Sequence, residues 1–215
     1  LGYLKQNGFW KSGDLNYERY NFRSNISSKI TKNLTAQLMI SGIMDQKNQP
    51  YADAWSVFKS LWRQIPTQTV YANNNPEYPG STIDGTNPMA MSSAGISGYK
   101  QFNGKWIQSS FSLVYQVPFI KGLQAKGLYS YDDHMSNNKE YRKAFNLYSY
   151  DAASNIYTPS ISQSPTNLYR SFAENPSSLL QASLNYNHSI NSAHHISALL
   201  LYEEGSRSGD NFYAS

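Results

Sequence analysis

Cysteine is absent from all 215 residues, which excludes disulfide frameworks, thiol nucleophiles and cysteine-based zinc sites together. The absence fits export through an oxidising compartment. Long apolar runs are absent as well. No stretch approaches the ~20 residues that a membrane helix needs, so helical spans are excluded, while nothing follows for membrane strands. Charge is scarce at 15%, and the net charge of +4 is scattered along the chain, leaving no basic footprint for nucleic acid. The chain starts at Leu1 with no Met, basic n-region or apolar h-region, and stops in a polar stretch at Ser215. It reads as an internal piece of something longer.

What the sequence has in abundance is tyrosine. Eighteen Tyr, a mean hydropathy of −0.59 and a 14% aromatic content make the chain polar without being ionic. Disordered chains are poor in aromatics and rich in net charge, so disorder is disfavoured. The length suits one domain of ordinary size.

The informative pattern is period two. Phe22, Ile26 and Ile30 alternate with Arg23, Asn25, Ser27 and Lys29. After Thr31-Lys32-Asn33, the set Leu34, Ala36, Leu38, Ile40 alternates with Thr35, Gln37, Met39, Ser41. Strand side chains point to opposite faces in turn, so this is an antiparallel hairpin with one apolar and one polar face. The pattern recurs at 106–132 around the turn Pro118–Gly122, with Phe111, Leu113, Tyr115, Leu123, Tyr129 and Tyr131 on one face. It recurs again at 179–204, with Leu180, Leu184, Tyr186, Ile196, Leu200 and Tyr202 around a turn at Asn191 to His194. Leu199 and Leu201 interrupt the polar face of that last strand.

Between hairpins the alternation lapses for long polar stretches. In the first, Ala52 to Ile65 changes period. Trp55, Phe58, Leu61, Trp62 and Ile65 fall at helical spacing, Asp53 caps the start and Pro66 stops it, which predicts one short amphipathic loop helix. Three short turns separated by long excursions are the rhythm of outer-membrane barrels, whose short turns share one side of the membrane. Strand lengths fit the ~9–11 residues of a tilted span. Tyr20 with Phe22, Tyr129, Tyr131, Tyr186 and Tyr202 fall toward strand ends on the apolar register, where an interfacial girdle belongs.

The fold class expected is therefore all-β: an antiparallel transmembrane β-barrel segment of about seven strands, at about 1–6, 17–30, 34–46, 106–117, 123–132, 179–190 and 195–204. Extracellular loops fall at about 47–105 and 133–178. The alternative is a soluble or surface β-sheet carbohydrate-binding or adhesion module, in which the tyrosine-rich face packs a core.

Several residues resemble a known family. The run Gly2-Tyr3-Leu4-Lys5-Gln6-Asn7-Gly8, then Arg19, Arg23 and Asn25, then Thr31 and Leu34, is similar to the early barrel strands of TonB-linked outer-membrane transporters of the SusC/RagA type. That family has a GY-x-x-x-x-G strand end followed by R-x-x-x-R-x-N and a short T-x-x-L turn. The aromatic helix with Trp55, Phe58, Trp62 and Pro66 also resembles the family's segment there. The resemblance implies a large plugged barrel of ~22 strands in the outer membrane of a Bacteroidetes-like Gram-negative bacterium. It implies import of glycans or oligopeptides, energised by TonB through plug segments outside this chain, with a SusD-like surface lipoprotein as lid.

On that reading Arg23, Asn25, Gln37, Gln116, Gln124, Asn185 and Asn187 face a wet lumen or plug, and the apolar set faces lipid. The aromatics in or beside loops, Trp10, Trp55, Trp62, Tyr71, Tyr78 and Trp106, are candidate substrate contacts, because an aromatic face offers a broad platform for a sugar. Chemistry is not indicated. His194-His195 lacks an HExxH helix, Asp132-Asp133-His134 diverges in an extended segment, and no nucleophile elbow, phosphate loop or dinucleotide fingerprint is present. No metal, cofactor or enzyme activity is expected.

Overall fold

The structure is a computed structural model describing residues 1–162, 164–190 and 194–214. It is all-β apart from the loops. The strands are β1 (Gly2–Asn7), β2 (Asn16–Lys29), β3 (Leu34–Pro50), β4 (Gly98–Gln116), β5 (Leu123–Arg142), β6 (Asn146–Asp151), β7 (Ile156–Ser162), β8 (Asn167–Ile190), β9 (His194–Arg207) and β10 (Asp210–Ala214). Eight of them form one antiparallel sheet in the order β1-β2-β3-β4-β5-β8, with β9 and β10 both on β8. The strands β9 and β10 share one register, Arg207 opposite Ser177 and Asp210 opposite Glu174. They are two halves of one ribbon. The break falls opposite Pro176, whose carbonyl accepts from the Ser208 N–H at 3.1 Å but which has no N–H to return.

The expected hairpins are present, with Ile26 opposite Leu38 and Phe111 opposite Tyr129. The turn after β2 is closed by Thr31, whose hydroxyl accepts from the Leu34 N–H at 3.1 Å, while Ile30 N–H donates to the Leu34 carbonyl at 2.9 Å. The turn after β4 is closed by Gly122. Its φ is +88° and a Cβ there would run into the Asn187 carbonyl on β8, so two independent constraints require glycine. The third expected turn, at 191–193, lies outside the described residues.

Strand bounds differ from those that alternation predicts. The strands run further at the loop end, three of them by eight residues or more: β4 starts at 98 instead of 106, β5 continues to 142 instead of 132, and β8 starts at 167 instead of 179. The excursions shrink to 51–97 and 143–166, and the second holds the β6–β7 hairpin. The first holds the predicted helix α1 (Ala54–Trp62), capped by Asp53, whose carboxylate accepts from Ser56 N–H at 2.8 Å. It also holds two single-turn helices the sequence did not announce, α2 (Pro88–Met91) and α3 (Ala94–Ser97). The short turns at 30–33 and 117–122 lie at one end of the sheet, and the segments 8–15, 51–97 and 143–166 at the other.

The excursion 51–97 is a folded body. Asn87 is 2% exposed and holds it together: its amide donates to the Val70 and Gly80 carbonyls at 2.8 and 2.9 Å and accepts from Ala90 N–H at 3.1 Å. The buried apolar residues Val57, Ala72, Ala90 and Leu147 all lie in the excursions. Among the described residues the sheet has no second layer: Ile26, Leu38, Phe111 and Leu180 are not packed beneath any other described element, and Ile26, Phe111 and Leu180 are exposed. A sandwich would bury them.

Candidate functional site

Because pairing is antiparallel and in register across the sheet, each side chain can be assigned to a face. One face carries Tyr20, Phe22, Ile26, Leu38, Ile40, Leu113, Phe111, Tyr129, Leu180, Leu184 and Leu200, with small Ser24, Ser28, Ser109 and Gly127 among them. Gly42 belongs to this face, and the Phe22 ring lies where its Cβ would be.

The upper limit of this apolar band runs obliquely across the strands. On β1, β2 and β3 the last apolar residues before polar ones are Tyr3, Tyr20 and Met44, which stand side by side. From there it retreats two residues per strand. Met44 stands opposite Lys105, Ile107 opposite Asp133, Tyr131 opposite Ser178, and Leu180 opposite Glu204. Above the limit, Met135 and Phe172 are apolar residues scattered among polar ones.

From Tyr3 to Tyr202 the limit falls eight residues over six strand steps. At ~3.3 Å per residue and ~4.8 Å between strands, its slope is roughly 43° from the perpendicular to the strands. A horizontal apolar slab cutting strands tilted by ~35–45° leaves that trace. On β3 the band runs from Leu34 to Met44, roughly 33 Å along the strand and roughly 24 Å high once tilted, against ~25 Å for the apolar belt of outer-membrane barrels. Tyr3, Tyr20, Tyr131 and Tyr202 mark its upper margin, with Tyr115 and Tyr186 low in it. Tyr129 and Tyr131 are thus in mid-strand, and the girdle follows the band's edge instead of the strand ends.

The opposite face is polar. Arg23, Asn25, Gln37, Gln116, Gln124, Asn185 and Asn187 all fall on it, and Gln116, Gln124 and Asn185 stand side by side on β4, β5 and β8. Ser112 donates to Gln37 Oε1 at 3.3 Å, and Arg23 Nη2 lies 3.3 Å from Met39 Sδ. Leu199 and Leu201 share this face at the sheet edge, opposite Asn185 and Ser183. Asp132 and His134 lie on the polar face and Asp133 on the other, so those three do not converge. His195 is held by Ser189, with Oγ and Nδ1 2.7 Å apart.

The six candidate aromatics do not form one site. Trp10 packs with Phe9 and Phe58, ring centroids 4.4 and 5.9 Å away. Trp55 and Trp62 project from α1 and are 69% and 82% exposed. Tyr71 opens a 3₁₀ turn, and Tyr78 stacks on Tyr157 at 4.0 Å and meets Tyr148 edge-on, tying the excursion 51–97 to the β6–β7 hairpin. Trp106 lies well inside β4, on the polar face, against His134 at 4.3 Å, and not beside a loop. Its expected loop position came from starting β4 eight residues late.

One group at the loop end was missed. A cavity of about 360 Å³ opens where β3, β4 and β5 end, lined by Tyr51, Asp53, Lys100, Arg142, Lys143 and Phe145 among others. Lys100, Glu140 and Arg142 belong to the polar face. Lys100 Nζ pairs with Glu140 at 3.0 Å and lies 4.7 Å from the Tyr51 ring centroid, and the Arg142 guanidinium carbon is 5.8 Å from the same ring. These residues are drawn from three segments, and no local spacing announces them.

Two carboxylates in the excursion 51–97 are held below the ordinary range. For Asp53 the main cause is the Ser56 N–H at the helix start. For Asp84, burial pushes upward, and the combined hydrogen bonds from Thr82, Gln64 and Thr86 outweigh it.

Fold and faces together define the class: an antiparallel meander with a tilted apolar belt, long excursions at one end and short turns at the other. The RagAB peptide importer in its closed-closed state superposes with a TM-score of 0.64 at 18% identity, its open-open state with 0.67 at 18%, and the RagAB peptide transporter with 0.65 at 19%; each match covers 99% of this chain. The chain spans 22% of the length of those chains. No family model and no curated protein matches the sequence.

Proposed function

We propose that this chain is part of the barrel wall of a TonB-dependent nutrient importer of the SusC/RagA type, in the outer membrane of a Bacteroidetes-like bacterium. The observation that carries the proposal is the oblique apolar band on a sheet that no other described element covers, for which lipid is the natural cover. The polar face with Arg23, Gln37, Gln116, Gln124 and Asn185 then lines the lumen or meets the plug, and 51–97 and 143–166 are extracellular. The role is passage of a ligand, without catalysis.

The fold counterparts are named as peptide importers, which favours oligopeptides over glycans as cargo. A SusD-like lipoprotein would close over the excursions. Deletion of the full-length gene should abolish TonB-dependent uptake of one ligand class, and the protein should fractionate with the outer membrane. Recovery of the full-length protein in the soluble fraction would overturn the proposal.

A further inference from the structure

The cavity at the loop end holds positive charge that the described residues do not balance. Lys100 and Arg142 are gathered over one tyrosine ring, and Lys143 lines the same space. Of the three, Lys100 alone has a carboxylate partner among the described residues, Glu140. Arg142 gives its Nε–H to the Pro165 carbonyl at 3.0 Å, and its two terminal nitrogens have no partner among the described residues. Lys143 gives its ammonium to the Gly95 carbonyl at 2.8 Å, a neutral acceptor. The one carboxylate among the described lining residues, Asp53, is turned to its own helix, accepting from Ser56 N–H at 2.8 Å and from the Ser56 hydroxyl at 3.0 Å.

Gathering cations with a free guanidinium edge is a way of recognising an oxyanion, because that edge matches a carboxylate with two parallel N–H bonds. The Tyr51 ring beneath and Phe145 beside it add apolar walls. The volume is at the small end of ligand pockets. It admits one terminal unit of an oligomer, not its length.

Resting on the importer reading, we infer that this cavity is an outer subsite that captures a carboxylate-bearing end of the cargo, with Arg142 as its principal contact. Lys100, Arg142 and Glu140 sit on the polar face, so a captured end is presented to the lumen side of the wall. An oligopeptide supplies the group as its C-terminus; an acidic glycan supplies it as a uronate.

The test uses the full-length transporter purified in detergent, with Arg142→Gln and Arg142→Lys variants. Four probes are compared by equilibrium binding, with uptake measured in cells: tetra-alanine, its C-terminal amide, a tetrauronate and the matching neutral tetrasaccharide. The expected result is that tetra-alanine binds about tenfold more tightly than its amide, that Arg142→Gln removes this preference while leaving the amide unchanged, and that Arg142→Lys restores it in part. The same preference confined to tetrauronate over the neutral sugar assigns the site to acidic glycans. Equal binding of acid and neutral probes by the wild type, or an equal loss for both in Arg142→Gln, overturns the subsite. Carboxylate-dependent binding without uptake keeps the subsite and overturns the importer, whereas uptake without carboxylate preference does the reverse.

Discussion

At the residue scale, single positions decide whether neighbouring strands can approach. Gly122 meets two demands at once, a left-handed φ and room for the Asn187 carbonyl. Gly122→Ala should lower stability by about 1–3 kcal/mol, read as a lower transition in heat-modifiable gel migration; an unchanged transition would show that the turn can relax away from β8. The depressed carboxylates act in the excursion 51–97. A carboxyl group whose folded pKa lies below its unfolded one stabilises the fold above the unfolded value, near 4. That contribution fades as pH falls through the folded value. The excursion should therefore resist protease at neutral pH and lose protection only in acid below the ordinary carboxylate range. Asp84→Asn should be nicked faster at neutral pH and show a weaker acid dependence, because the amide cannot accept from Thr82, Gln64 and Thr86 as the carboxylate does.

At the element scale, the two faces of a strand answer to different surroundings. Leu38→Arg places a charge in the middle of the apolar band, whereas Gln37→Arg places it one residue away on the polar face. The first should cost about 2–4 kcal/mol and the second close to nothing, as measured by reversible urea unfolding of the full-length barrel in vesicles. Equal costs would dispose of the lipid assignment. The same contrast explains what could be read from the sequence. Alternation was legible at 20–43, 106–132 and 179–204 because apolar and polar surroundings there impose opposite demands on the two faces. Above Ile107, Tyr131 and Leu180 the strands leave the apolar band, and Lys105, Asp133 and Asn137 stand on the formerly apolar face. With apolar residues only scattered among polar ones there, period two is broken, so 98–105, 133–142 and 167–178 resembled loops. The Lys100–Arg142 cavity was illegible for a related reason: it assembles only when those hidden strand extensions bring 51, 100 and 142 together.

At the scale of the whole molecule, the meander has two edges, β1 and β9–β10, and a surface of exposed aromatics on its excursions. Trp55 and Trp62 turn outward from α1, while Phe58 packs on Phe9 and Trp10, and Val57 and Ser60 face the body of the excursion. An apolar helix face pointing away from its own fold fits a partner surface. If the proposed importer carries a lid lipoprotein, combined Trp55→Ala and Trp62→Ala substitution in the full-length protein should weaken its retention in co-purification by tenfold or more, a loss of about 1.4 kcal/mol or greater. Retention and uptake both unchanged would show that these rings serve only their own excursion.

The one-sided placement of the short turns has a consequence for how such walls change over time. A cut at two neighbouring short turns removes one strand pair and its long excursion, and the strands on either side are left antiparallel, in register and with the same face outward. Removing a single strand would leave its neighbours parallel and put a turn on the wrong side. Duplication and loss in hairpin units therefore preserve the sheet's pairing and its two faces, so strand numbers change by two, and each unit gained or lost carries its own long excursion with it.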